Sequence, residues 1–267
     1  MTAAGIQSLA GTLGVIGGSG LYDMPGMRIV EEHRVETPFG APSDVILRAR
    51  IDGTANELLF LPRHGRGHRV SPSNVNYRAN VCALRMLGAT HLLSVSATGS
   101  MKDEIAPGHL VVVDQFIDLT KRRTSTFFDE GLAAHVPFAD PVCPLLSRVL
   151  AEAASPHAEV HRGGTYVCIE GPQFSSRAES LLYRSWGVSV IGMTGMPEAK
   201  LAREACLPYA MLALATDYDC WKESEGAVHV EAVVATMAAN VGRARSAIRD
   251  VLPRLPDPKE SEASRAL

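Results

Sequence analysis

Short apolar runs without polar alternation recur along this chain, and helix-length amphipathic stretches separate them. The most apolar run, residues 209–215, reads as a strand buried on both faces. Residues 12–16, 44–50, 57–61, 91–95, 110–114 and 188–191 read as further strands. Residues 74–87, 176–186 and 196–206 have helix length, and a last helix is expected over 227–251, with Val230, Val233, Val234, Met237 and Val241 at helical spacing. Strands alternating with helices predict an α/β fold, a single domain with a central mixed β-sheet flanked by helices. No repeat or composition break divides the 267 residues, so one domain is expected over 1–252. Residues 253–267 are rich in Pro, Glu, Ser and Arg and are expected to form a flexible tail.

Composition removes several classes of function. The net charge is −3 and no basic run interleaves with aromatics, which argues against a nucleic-acid partner. The five cysteines form no CxxC pair and match no zinc spacing, so neither a disulfide framework nor a metal is expected. No apolar run is long enough to cross a bilayer, and the first ten residues lack a basic stretch leading into an apolar core. A cytoplasmic location follows as the expectation.

The residues that carry chemistry lie just after the expected strands, where ligands sit in open α/β sheets. Gly17-Gly18-Ser19-Gly20 can cradle an anion with backbone N–H groups and a hydroxyl, or can simply be a tight turn. It fits neither GxGxxG nor GxSxG, which argues against a dinucleotide-dependent oxidoreductase. Arg63-His64-Gly65 offers a planar fork of donors and an imidazole. Residues 94–100, Ser-Val-Ser-Ala-Thr-Gly-Ser, read as a third donor-rich loop. In residues 169–179, Gly-Pro turns the chain, Ser176 and Glu179 form a capping box, and Phe174 and Ser175 offer a flat face and a polar contact. Thr216-Asp217-Tyr218-Asp219 ends the most apolar strand with two carboxylates, two residues apart and so on one side of an extended segment. One protonated and one ionised carboxyl suit a 6-aminopurine, whose N6 donates and whose N7 needs a proton as the base leaves.

Taken together, GVIGGSG, ETPFGAPSD, RHG, NVNYRAN, ATGS, VVDQFID, IEGPQFSSRAES, GMTGMPEA and ATDYDCW resemble the methylthioadenosine phosphorylases, a branch of the trimeric purine nucleoside phosphorylase superfamily. The resemblance runs from about residue 13 to about residue 251. It implies a purine nucleoside phosphorylase-like fold and phosphate-dependent cleavage of adenine from a 5′-modified ribose, with no cofactor beyond inorganic phosphate as cosubstrate. It implies phosphate contacts from Ser19, Arg63, His64, Ser96, Ala97 and Thr194. It implies substrate contacts from Met193 under the sugar, from Phe174 and Ser175 at the base, and from Asp217 and Asp219 as the carboxylates that read N6 and N7. Glycosidic-bond chemistry makes one of the two, Asp217 in this reading, the acid at N7 and the other the acceptor for N6. Val230, Val233 and Val234 match an apolar wall around the 5′ group. His135 matches a residue donated by a neighbouring subunit, which implies a homotrimer with interfacial sites. A 6-oxopurine or methylthioinosine phosphorylase is the nearest alternative, though such enzymes favour an amide at the position of Asp217. A non-catalytic nucleoside-binding protein is the other.

Overall fold

The computed structural model describes residues 11–22, 24, 26–222 and 230–267. Strand β5 (His91–Ser100) is the axis of an eleven-stranded mixed sheet. On one edge its first residues pair in parallel with β1 (Thr12–Gly17), from Leu13↔His91 to Ile16↔Ser94. The opposite edge pairs in parallel with β11 (Tyr209–Asp217) almost throughout. At its far end, Gly99 and Ser100 pair antiparallel with β10 (Val190–Gly192). The sheet therefore branches at β5. One arm runs from β1 through β4 (Glu57–Pro62) and β3 (Ile46–Ile51) to β2 (Met27–His33). A second runs from β10 through β9 (Thr165–Cys168) to β7 (Gln115–Asp118), and a third from β11 through β6 (Leu110–Val113) to β8 (Val160–Arg162).

The uninterrupted apolar runs follow from helices on both faces of this sheet. Successive strand side chains point to opposite faces. In β11, Ala210, Leu212 and Leu214 enter one core, and Tyr209, Met211, Ala213 and Ala215 enter the other. In β4, Leu58 and Phe60 divide from Leu59 and Leu61 in the same way. The first core is closed by α2 (Pro144–Ala154) and α5 (Val230–Val251), through Leu146, Leu150, Ala244 and Ile248. The second is closed by α1 (Tyr77–Met86) and α4 (Glu198–Glu204), through Val81, Leu84, Leu201 and Ala202. Helix α3 (Arg177–Ser185) starts at the Ser176–Glu179 capping box and lays Tyr183 against Val167, Ile191 and Trp221.

The sequence reading also lacks β7, β8, β9 and α2, and three further departures have physical reasons. Residues 96–100, expected as a loop, are the second half of β5: pairing with β11, and then also with β10, overrides their turn-like Ser, Thr and Gly content. Strand β2 has no strand signature in the sequence, because its middle residues are exposed and do not alternate. Residues 253–267, expected as a flexible tail, are folded into short 3-10 turns that bury Ser261, Ala263 and Ala266. Those turns are capped by the Asp257 and Ser261 side chains, and Leu255 packs on the first core.

Asn56 joins the start of β1 to the end of the chain. Its Oδ1 accepts from Gly11 N–H at 2.7 Å and its Nδ2 donates to the Leu252 carbonyl at 2.5 Å, both in buried surroundings. Asn56→Ala orphans both backbone groups and is expected to cost about 2–4 kcal/mol, read as a lower midpoint in urea unfolding with an unchanged slope.

Candidate active site

Between Ser94, where β5 leaves β1, and Gly99, where it meets β10, one edge of β5 pairs with no strand. A cavity of about 370 Å³ opens there, lined by this edge, the end of β11, the turn after β4, residues 191–194, residues 174–175, and Met237 and Val241 of α5. Its size suits a small organic ligand.

At one end stands Arg63, which follows directly on β4. The side chain is 2% exposed and is held on all sides. Its Nε and Nη2 grip the Glu198 carboxylate at 2.5 and 3.1 Å, and Nη2 also reaches the Ile16 carbonyl and Ser94 Oγ. Nη1 donates to the Val95 carbonyl at 3.0 Å. Burial works against the charge, but the Glu198 carboxylate outweighs it and holds the guanidinium above its ordinary range. Arg63 is thus first a pin across the point where β1 and β5 part. One Nη1 hydrogen is left without an acceptor among the described residues, and Arg63 lines the cavity.

His64 lies beside it. Its Nδ1 is 2.8 Å from the Val70 carbonyl, which can only accept, so Nδ1 carries hydrogen. Burial and the neighbouring Arg63 charge lower this imidazole to about 4, so it is neutral at pH 7. Ser96 and Thr194 complete this end, their hydroxyls 2.6 Å apart. Ala97 lines the wall next to them.

At the other end, Asp217 closes β11 and Asp219 begins a 3-10 turn with φ of 52°. Both carboxylates reach the cavity, but the turn, not strand alternation, brings the second one round. Asp217 accepts from Thr216 Oγ1 at 2.7 Å and from Asp219 N–H at 2.8 Å. Asp219 accepts from the buried Ser180 hydroxyl of α3. Burial raises the Asp219 pKa, and the Asp217 charge adds to this against the bonds from Ser180 and Cys220. Asp219 therefore holds a proton more readily than an ordinary carboxyl. Gly99 keeps this corner open, since a Cβ there would lie 3.1 Å from Asp217 Oδ1. Met193 lines the cavity and packs against Gly171, where φ of 67° and the thioether leave no room for a side chain. Phe174 stands at the mouth, 85% exposed. The Ser175 and Thr98 hydroxyls are buried in the wall with no protein partner among the described residues.

Ten expected residues thus line one cavity: Arg63, His64, Ser96, Ala97, Phe174, Ser175, Met193, Thr194, Asp217 and Asp219. Ser19 follows the lining residue Gly18, but its side chain lies outside those described, as do those of Val230, Val233 and Val234. His135 is not part of the cavity and sits exposed on an irregular stretch. Sequence reasoning missed Glu198 and Ser180, and singled out Thr98 only as part of the donor-rich stretch 94–100. An acid in the first turn of a helix and a serine within one carry no signal of a distant partner. Met237 and Val241 were legible as the continuation of the Val230–Val234 stripe.

The profile of the phosphorylase superfamily matches residues 12–253, nearly the whole chain. This chain belongs to the phosphorylase superfamily. Within the superfamily it is 56% identical to the S-methyl-5′-thioadenosine phosphorylase of Geobacter sulfurreducens over 257 residues, covering 96% of this chain and 89% of the relative. A methylthioadenosine phosphorylase from an antarctic soil metagenomic library superposes with a TM-score of 0.91 at 45% identity, covering 97% and 91% of the two chains. A mutant adenosine/methylthioadenosine phosphorylase of Schistosoma mansoni, solved with methylthioadenosine, superposes at 0.88 with 37% identity over 96% of each chain.

Glu198→Gln leaves the Arg63 charge without its counter-ion, and removing one partner of a buried pair costs about 3–5 kcal/mol. Chemical denaturation is expected to show a loss of that order, whereas Asp103→Asn, which breaks the exposed pair with Arg184, costs at most about 1 kcal/mol. His91 is lowered to about 4 by burial, like His64. Below the unfolded value near 6.5 the unfolded chain binds protons that the folded one refuses, so stability falls as pH drops from 6.5 to 4. Unfolding midpoints across that window are expected to decline, and less steeply in His64→Gln.

Proposed function

We propose that this chain catalyses phosphate-dependent cleavage of the N-glycosidic bond of 5′-methylthioadenosine, giving adenine and 5-methylthioribose 1-phosphate. The observation that carries the reading is one cavity with a hydrogen-bond cradle at one end and a carboxyl pair at the other. The names of the relatives agree with it. In this reading Ser19, Arg63, His64, Ser96, Ala97 and Thr194 hold phosphate, and Met193 lies under the ribose. Phe174 and Ser175 contact the base, with the Thr98 hydroxyl a further donor in the wall. Val230, Val233 and Val234 line the 5′ group, at helical spacing from the lining residues Met237 and Val241.

The transition state is oxocarbenium-like: the base departs with the bonding electrons and phosphate closes on C1′ from the opposite end. Interactions that act only as charge develops raise the rate. Charge developing on the base is met by the proton of the carboxyl pair at N7, while the ionised member accepts from N6. The 6-amino group selects this pair, since a 6-oxo base would turn an acceptor toward the ionised carboxylate. No cofactor other than phosphate takes part.

The same reading extends to assembly and location. Phe174 is open to solvent at the cavity mouth, so a neighbouring subunit carrying His135 would complete the site in a homotrimer. No described helix is long and apolar enough to cross a membrane, and the reading places the enzyme in the cytoplasm with no nucleic-acid partner.

Adenine release is expected from methylthioadenosine only when phosphate is present, faster than from adenosine and far faster than base release from methylthioinosine. Phosphate-independent release would make the chain a hydrolase, and no release would make it a binding protein. Asp217→Asn and Asp219→Asn are each expected to lower kcat by about 10²–10⁴-fold, with smaller changes in KM. With the proton on Asp219, wild-type kcat falls as pH rises through the Asp219 pKa, and Asp219→Asn flattens that limb of the kcat–pH profile.

A further inference from the structure

We infer that His64 accepts the proton of the attacking phosphate, its Nε2 taking the P–OH hydrogen as the new C1′–O bond forms. The inference rests on the reading that the cavity binds phosphate beside a nucleoside. Its basis is the bond from Nδ1–H to the Val70 carbonyl, which fixes the tautomer. In the neutral ring the other nitrogen bears a lone pair and can only accept. The groups that face the ring are Arg63, His68, stacked with its centroid 4.3 Å away, and Glu198. Burial, Arg63 and His68 all keep the ring uncharged, and only the Val70 carbonyl and the more distant Glu198 favour its charged form. A cradle for a fully deprotonated dianion would present donors alone. This one presents an acceptor, which matches an anion that brings one hydrogen of its own.

The proton ledger of the reaction leaves a place for such a group. Hydrogen phosphate enters with one proton, and the sugar phosphate leaves as a monoester dianion with none above its second pKa of about 6. Adenine leaves with one proton more than it had as a glycoside. The C1′–N9 bond breaks with its electron pair moving to the base, and a phosphate oxygen lone pair forms the C1′–O bond. The P–OH proton passes to His64 Nε2 and the carboxyl-pair proton passes to N7. The two ends of the cavity then each exchange one proton with solvent before the next turnover, and no net proton is released. Bound phosphate itself raises the basicity of the ring, since a nearby anion favours the imidazolium.

The test compares phosphate with sulfate and monofluorophosphate, dianions of similar size that carry no hydrogen at pH 8. Their inhibition constants are measured against phosphate in methylthioadenosine cleavage from pH 6 to pH 8.5. In the wild-type enzyme at pH 8 both are expected to bind about 10- to 100-fold more weakly than phosphate, because two acceptors face each other. Sulfate inhibition is expected to tighten toward pH 6 as the ring takes a proton from solvent. In His64→Gln, whose amide can donate, the discrimination shrinks to within a few-fold while kcat drops. Equal binding of the three anions by the wild-type enzyme at pH 8 overturns the inference, and this holds even if the variant fails to fold. A folded His64→Gln enzyme that retains the full discrimination overturns it too, with phosphorolysis itself intact. Nucleoside cleavage that proceeds equally well without phosphate removes the underlying reading, and the inference with it.

Discussion

The buried pair of Arg63 and Glu198 holds together the place where the sheet divides. Strand β5 cannot pair with β1 and β10 at once, so its edge is bare between them. Backbone groups left unpaired in a protein interior are costly. The guanidinium meets part of that cost by bonding Ile16 of β1 and Val95 and Ser94 of β5, and Glu198 of α4 holds it in plane. Ser94 closes the network by donating to the same carboxylate at 2.9 Å. A buried ion pair is weak evidence for stability, because desolvation cancels much of the attraction. What it supplies here is geometry: two strands, a loop and a helix are locked around a gap that packing alone would tend to close.

That pairing also sets the electrostatics. Arg63 is the sole Lys or Arg among the described lining residues, and its charge is matched by Glu198. His64 adds none at neutral pH. On the proposed reading, an anion in this cradle would be held chiefly by hydrogen bonds, with its own charge left largely unquenched. In a low-dielectric cavity that charge acts on its nearest partner, the sugar carbon that turns cationic as the base leaves. A cradle of several free cations would bind phosphate more tightly but would screen it from C1′. Tight ground-state binding of that kind lowers KM without raising kcat.

The sequence made most of this legible, and the failures share a cause. The apolar runs marked β1, β4, β5 and β11 because a sheet covered on both faces leaves no polar alternation. Strand β2 and residues 96–100 were lost because edge exposure and hydroxyl-rich composition look the same in strands and loops. Ten of the expected site residues line one cavity because residue type and strand-end position constrain them together. Arg63 was legible as a ligand group but not as a pin, since its partner Glu198 lies 135 residues away. The raised pKa of Asp219 was not legible either: it depends on burial and on the Ser180 bond that opposes it, neither of which spacing encodes.

The cavity is also where the chain breaks its own rules. Among the described residues, three non-glycine residues adopt positive φ, and two of them, His68 and Asp219, line this cavity. Such conformations cost on the order of 1–3 kcal/mol each and persist only where the surroundings over-determine them. The orphaned hydroxyls of Thr98 and Ser175 stand in the same wall. In a core these would be defects, because a buried polar group without a partner loses its hydration and gains nothing. In a site they are unfilled valences that a ligand with matching donors and acceptors completes. Strain at Asp219 follows the same logic. An ordinary extended residue two places after Asp217 would continue the strand, whereas the left-handed turn folds the second carboxyl back toward the first. Its proximity to Asp217 is what raises its proton affinity beyond burial alone. The backbone distortion and part of the raised proton affinity therefore share one origin, the turn that sets Asp219 beside Asp217.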